Sequence, residues 1–406
     1  MNRRKFIQQS GLAVAGSTLS FPVIGSSWSS NDTIGLGIIG TGSRGQGLMK
    51  TINKHFPQFK MVAACDIIPY RRAEAKAIAG NKCKVYTDHR ALLEDKNVEA
   101  VIIASPLFTH HAIAMDAVLA DKHVYCEKTM TIHIQETFEL IEQVKKSDKV
   151  FQVGHQYRST PLYFQIADLI KNGQIGEVTS IYVQWNRNGD WRRTVKDPRF
   201  KKMENWRMYR NWSSGLTAEL HSHQIDYINS IFDSYPTRVT GFGGIDYWKD
   251  GRETFDNVNT LFEYPNGFKV NCVSLTANAH EGYYMKFRGS KGTIAMDMND
   301  AWIYNEVSPK EKEKWKEVDG VSGATEVKWR RGEAVKIEPE VQREGWFNTR
   351  YALDEFHNCI MNGKVPYSNV YNGGGTAICV RMAVDAMRKG TIEPWLPEYD
   401  KVLPAV

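Results

Sequence analysis

The chain has 406 residues, 24% of them charged and 42% hydrophobic, with a formal net charge of +6. That length allows two or three domains, and the composition is that of a globular protein. No basic run is long enough to imply nucleic acid, and six cysteines without a CxxC pair exclude a disulfide frame or a cysteine-based zinc site.

Residues 1–31 stand apart from the fold. Asn2-Arg3-Arg4-Lys5-Phe6-Ile7 is a basic start, Gly11 to Leu19 a small-residue apolar stretch, and Ser26 to Ser30 a serine-rich tail. The apolar stretch is too short to span a bilayer, so no membrane insertion is expected. The order of charge, apolar run and small residues is that of a twin-arginine (Tat) export signal, which places the mature protein in the periplasm.

From 32 to 153 the pattern alternates. Strands are expected at Ile34–Ile39, Met61–Cys65, Val101–Ala104, His123–Cys126 and Val150–Val153. Helices are expected at Gly45–Asn53, Tyr70–Ala79, His110–Ala120 and Gln135–Lys146. Short apolar strands between amphipathic helices imply a parallel sheet covered on both faces, with ligands held past the strands' carboxyl ends. The first strand runs into Gly40-Thr41-Gly42-Ser43-Arg44-Gly45, the glycine spacing of a dinucleotide turn. Gly40 allows the tight turn, Gly42 lets a pyrophosphate approach, Gly45 lets helix and strand pack, and the following helix N-terminus faces the phosphate charge. Asp66 ends the second strand, where a carboxylate suits the ribose hydroxyls of NAD and repels the 2′-phosphate of NADP. Arg71 and Arg72 nearby argue the other way, and the alternative role of Asp66 is a helix cap before Pro69.

From 154 to 406 the pattern changes. A helix at Pro161–Lys171 leads into a strand at Val178–Trp185. Further strands are expected at Arg238–Phe242, Val258–Tyr264, Phe268–Thr276, Tyr283–Arg288 and Thr293–Met296, with Asn266-Gly267 as a hairpin turn. Helices at Tyr351–Met361 and Thr376–Arg388 are expected to pack back on the first domain, and Lys310 to Lys316 reads as a solvated loop. The expected fold is α/β, a Rossmann domain followed by an α+β domain with an open, mainly antiparallel sheet.

The segments Gly40 to Gly45, Ser105-Pro106 with His110, Cys126-Glu127-Lys128, Gly154-His155-Gln156-Tyr157-Arg158 with Pro161, and Gly215 to Asp226 together resemble the glucose–fructose oxidoreductase, inositol dehydrogenase and rhizopine-catabolism family (Gfo/Idh/MocA). Thr129 stands where the family usually has proline after Glu-Lys. The resemblance implies a homo-oligomer, dimer or tetramer, that binds NAD through Gly40, Gly42, Ser43, Arg44, Gly45, Asp66, Ser105, Pro106, His110, Glu127, Lys128 and Gln156. It also implies catalysis by Lys128, Glu219 and His223, with Glu219 at the family's usual Asp position. On a regular helix Glu219 and His223 share a face, so the carboxylate could orient the imidazole, while His221 points elsewhere and no metal site is expected. The segment from Trp185 to Trp212 mixes tryptophan with Asn, Asp and Arg, suited either to a sugar or to packing. From it Asn186, Asn188, Asp190 and Trp191 are candidate substrate residues, with His155, Tyr157, Arg158 and His221. Oxidation of a sugar or glycoside hydroxyl, at C3 for example, is the leading function. An NAD-dependent glycosidase working by transient C3 oxidation and a non-catalytic sugar sensor are the alternatives.

Overall fold

The computed structural model describes residues 33–306 and 333–403, apart from 340, 342 and 344. The export-type segment and the loop at Lys310 to Lys316 lie outside the described residues.

Every residue of Ile34–Ile39 (β1) is buried, as a strand covered on both faces requires. It pairs in parallel with Phe59–Cys65 (β2) and with Ala100–Ile103 (β4). Lys84–Tyr86 (β3) flanks β2, and His123–Cys126 (β5) and Phe151–Val153 (β6) extend the other side. The order β3-β2-β1-β4-β5-β6 is the doubly wound dinucleotide topology, whose strand order reverses between β1 and β4. Helices Ser43–His55 (α1), Pro69–Ala79 (α2), His89–Leu93 (α3), His110–Leu119 (α4) and Ile134–Val144 (α5) make the connections. β3 and α3 escape the sequence pattern: β3 is a largely exposed three-residue edge strand with no apolar alternation to reveal it.

Beyond Pro161–Lys171 (α6), Val178–Trp185 (β7) enters a nine-stranded sheet with Arg238–Gly244 (β8), Asn257–Glu263 (β9), Lys269–Leu275 (β10), Tyr283–Gly289 (β11), Gly292–Met296 (β12), Ala301–Asn305 (β13), Val335–Ile337 (β14) and Glu393–Pro394 (β15). All neighbours are antiparallel except β7 and β10. Between β7 and β8 lie a short helix, Lys201–Glu204 (α7), and Ser222–Phe232 (α8), the latter preceded by a π turn at Thr217–His221.

The last two long helices are Asn348–Asn362 (α9) and Val370–Lys389 (α10). α9 joins the core of the first sheet: Phe356 is fully buried, with its ring 6.1 Å from Phe59 and 5.7 Å from Tyr125. α10 starts six residues before the expected Thr376, because its Gly373-Gly374-Gly375 opening is helical. A Cβ on Gly373 would lie 2.5 Å from Val153 and one on Gly375 2.2 Å from Tyr235, so close packing outweighs poor helix propensity there. All six cysteines are buried free thiols, and no described helix is long and apolar enough to cross a membrane. If α9 belongs to the first sheet's core, Phe356→Ala should cost about 3–5 kcal/mol in denaturant unfolding. A loss under about 1 kcal/mol would show that α9 merely leans on that core.

Candidate active site

The turn after β1 meets the turn after β4 at the point of strand reversal. Gly40 has φ +89°, and a Cβ on it would come 2.5 Å from the Ser105 nitrogen; a Cβ on Gly45 would come 2.1 Å from the Gly40 carbonyl oxygen. Only glycine permits this approach of turn, helix and strand. α1 starts with no side-chain cap and no acid in its first turn, so its free N–H groups remain available to an anion. A cleft of about 810 Å³ opens here, in the size range of a small-molecule site. Gly40, Gly42, Ser43, Arg44 and Asp66 line it on one side, and Ser105, Pro106, His110, Glu127 and Lys128 on the other. Gly45 packs beneath it. Arg44 donates through Nε to Glu127 at 2.7 Å, and the His110 ring sits between the Ser105 and Thr129 carbonyls at 3.0 and 2.9 Å, its neutral form able to donate to one of them.

Asp66 does two jobs. It lines the cleft, and its carboxylate also accepts from the Thr41 N–H at 2.9 Å and from the Ile68 N–H at 2.9 Å. The second bond closes a turn onto Ile68, the N-cap residue of α2; that helix has no side-chain cap, so Asp66 does not play the capping role. A carboxylate has about four lone-pair sites, so room remains for a ribose hydroxyl. An open glycine turn, an uncapped helix start and a carboxylate at the end of β2 fit a dinucleotide.

The far wall of the cleft comes from the second sheet. Residues 193–207, on the connection after β7, reach across to α2, where Lys196 binds Glu74 at 2.7 Å and Glu204 binds Tyr70 and Arg71. Sequence reasoning missed Tyr70, Glu204 and Arg207. Their one visible trace was the density of tryptophan and arginine in this segment.

Lys128 follows β5 and reaches the π turn. Its Nζ donates to the Glu219 carbonyl at 2.8 Å and to the Ala218 carbonyl at 3.2 Å. An ammonium has three N–H groups, so one is left for a ligand. The Lys128–Thr129 peptide is cis. Burial holds the Lys128 pKa below its usual value, against the opposing pull of Glu219 and Glu127. Burial pushes the Glu219 carboxyl upward, but Arg207 and Lys128 outweigh it and the net shift is down. Arg207 Nε lies 2.6 Å from Glu219 Oε2.

The expected Glu219–His223 bond is absent: the carboxylate turns to Arg207. The reason is local. Hydrogen bonds in the π turn at 217–221 run i to i+5. Glu219 lies within that turn and His223 in α8, and the carboxylate is held by Arg207 instead. His223 is buried outside the cleft lining, with its ring 4.8 Å from Tyr157, 5.7 Å from Trp185 and 6.0 Å from His155. Burial, then Lys128 and His155, hold it well below the usual imidazole pKa, so it is neutral.

Other candidates scatter. Gln156 does not line the cleft. His155 is buried, its pKa lowered by burial to about 4, and its Nδ1 lies 3.5 Å from Asp226. Arg158 donates through Nε to the same Asp226 at 2.7 Å. His221 is fully buried against β10 and does not line the cleft. Asn186 and Asn188 line a separate open depression with Trp185 and Tyr283. Asp190 caps its own turn by accepting from the Arg192 N–H, and Trp191 packs on the core. No cluster of His, Cys, Asp and Glu among the described residues could hold a metal.

Comparison with known proteins agrees with this geometry. Residues 34–155 match the profile described as "Oxidoreductase family, NAD-binding Rossmann fold", and residues 163–295 match the GFO/IDH/MocA C-terminal domain. Over 57% of its length the chain is 29% identical to an uncharacterized oxidoreductase of Synechocystis sp.. Over 66% it is 27% identical to 2,7-anhydro-N-acetylneuraminate hydratase of Escherichia coli. These matches span 64% and 68% of the relatives' own lengths. The solved structure of a levoglucosan dehydrogenase in complex with NADH superposes with a TM-score of 0.70, at 19% identity, over 90% of this chain and all of the other. With both halves of the chain matched and a parallel sheet ending in a dinucleotide turn, the protein belongs to the GFO/IDH/MocA family of NAD-binding oxidoreductases.

Proposed function

We propose that the protein oxidises a secondary hydroxyl of a sugar or glycoside, with NAD as the acceptor. The observation that carries this reading is the Lys128 ammonium, fixed by two backbone carbonyls in the cleft of the glycine turn with one N–H left over. Bound NAD supplies the acceptor for the hydride of the carbinol carbon. Lys128 donates its remaining N–H to the substrate oxygen and stabilises the negative charge that grows there. The role of proton acceptor is assigned to His223, which lies behind the cleft lining and within electrostatic reach of Lys128. Glu219 and Arg207 neutralise one another at the edge of the site. The charge near Lys128 is thereby kept balanced, and the ammonium is bonded to carbonyl dipoles rather than to a carboxylate.

The solved levoglucosan dehydrogenase supports a sugar substrate. The hydratase among the relatives, which carries out no net oxidation, supports keeping the glycosidase alternative, in which transient oxidation at C3 precedes loss of the aglycone. The export-type pattern of residues 2–19 extends the proposal to the periplasm, where a lost dinucleotide would not be replaced. The mature enzyme therefore retains its dinucleotide between turnovers. The outward face of the second sheet, where Phe242 is 85% exposed, is assigned to contact between subunits of a homo-oligomer.

Three outcomes test this reading. Lys128→Met should lower turnover by roughly a hundredfold or more while dinucleotide binding persists, and His223→Asn should do nearly the same. Near-normal rates in either variant would remove that residue from the mechanism. An aryl glycoside should yield a ketosugar and reduced dinucleotide, whereas free phenol without net reduction would establish the glycosidase route. Freshly purified mature protein should carry dinucleotide; protein that arrives empty and consumes added NAD at each turnover would sink the retention claim.

A further inference from the structure

Glu204 ends α7, on the connection that leaves the second sheet, yet its side chain is only 3% exposed because it lies against α2 of the first. Its two oxygens differ. Oε2 accepts from the Tyr70 hydroxyl and from Arg71 Nη2 at 3.1 Å. Oε1 is buried with no donor among the described residues. A buried carboxylate oxygen without a donor is costly, and the residue that carries it is part of the wall of the cleft that holds Asp66 and the glycine turn.

The partner of Oε2 matters as much. Arg71 and Arg72 follow Asp66 and could anchor a 2′-phosphate. Arg71 stands beside the turn: a Cβ on Gly42 would lie 3.3 Å from its Nη1. Glu204 holds its other terminal nitrogen. Arg72 is also committed, donating through Nη1 to the Asp66 carbonyl at 2.7 Å. Lys196 is drawn to Glu74 and to the face of the Tyr70 ring, 4.6 Å away. Arg193 and Lys50 remain at the exposed mouth of the cleft.

We propose that Glu204 is a cofactor-selecting residue: Oε1 accepts a hydrogen bond from the adenosine half of NAD, while Oε2 holds Arg71 away from a 2′-phosphate. The selection is thus made by two carboxylates from two parts of the chain, Asp66 at the end of β2 and Glu204 reaching over from the second sheet. A phosphate at the ribose 2′ position adds nearly two negative charges between them. Tyr70, whose pKa burial and the Glu204 bond push up to about 12, stays protonated as a donor and keeps the carboxylate in place. The inference rests on the dinucleotide reading of the cleft, and the test separates the two.

Binding of NADH and NADPH to dinucleotide-stripped protein, read by tryptophan-to-nicotinamide energy transfer, needs no substrate. The wild type should prefer NADH. Glu204→Gln should tighten NADPH by about tenfold or more and weaken NADH, since a charge-assisted bond to Arg71 is released and an anionic acceptor is lost. Arg71→Met should change NADPH binding little in the wild type, where Arg71 is already held, and should erase the gain in the Glu204→Gln background. Thermal unfolding of each variant checks that it is folded; if Glu204→Gln fails to fold, the Arg71→Met arm decides alone. An unchanged NADH/NADPH ratio in folded Glu204→Gln would overturn the proposal and leave the dinucleotide site standing. So would a tenfold loss of NADPH binding in Arg71→Met alone. A wild type that prefers NADPH would also overturn it, and one that binds neither would overturn the dinucleotide reading as well.

Discussion

The structure turns on one ammonium group. Lys128 leaves the end of β5 in the first sheet and is bound by the Ala218 and Glu219 carbonyls of the π turn that precedes α8. Thr129 adds a hydroxyl bond to the Ala218 carbonyl at 3.1 Å. The strand that ends the dinucleotide cleft is thereby fixed to the helix that carries the rest of the candidate site. A lysine in this position is partly desolvated and needs acceptors. Backbone carbonyls meet that need without delivering a full negative charge, so the ammonium keeps a lowered pKa and a free N–H.

The π turn decides what surrounds that lysine. A regular α-helix over 217–223 would have aimed Glu219 and His223 at one another. In the structure they do not pair. Glu219 pairs with Arg207 inside the cleft, and His223 enters an aromatic nest of Tyr157 and Trp185. A carboxylate without that arginine would pair with Lys128 instead, and an imidazole outside the nest would be solvated and partly protonated. Single π turns inside α-helices are frequent at functional sites.

The connection after β7 shows how one segment can serve both sheets. Its tryptophans do not gather around one sugar pocket. Trp206 is buried beneath Arg207, whose guanidinium lies 4.2 Å from the ring centroid, and Trp212 stacks on Phe108 at 4.5 Å. Aromatic packing of this kind fixes the path of the segment, and the fixed path brings Glu204 and Lys196 onto α2. The same residues therefore give stability to the segment and a wall to the cleft.

Periodicity alone determined much of this protein. The strands Ile34–Ile39 and His123–Cys126 stand where apolar runs place them, because covering a parallel sheet on both faces leaves a continuous local signature, and the strand Val178–Trp185 and the helix Pro161–Lys171 follow their own periodicities. The glycine turn was equally legible, since backbone approach there admits no side chain. Short edge strands such as Lys84–Tyr86 and the glycine-rich start of α10 left no such signature. Their conformation is imposed by neighbours rather than by their own sequence. In the same way, the sequence showed that Lys128, Glu219 and His223 were present but not how they were paired. It showed Arg71 and Arg72 beside Asp66 but not that Glu204, more than 130 residues along the chain from Arg71, holds one of them. Those pairings depend on a π turn and on a chain crossing between two sheets. Both are set by long-range packing, which residue spacing does not encode.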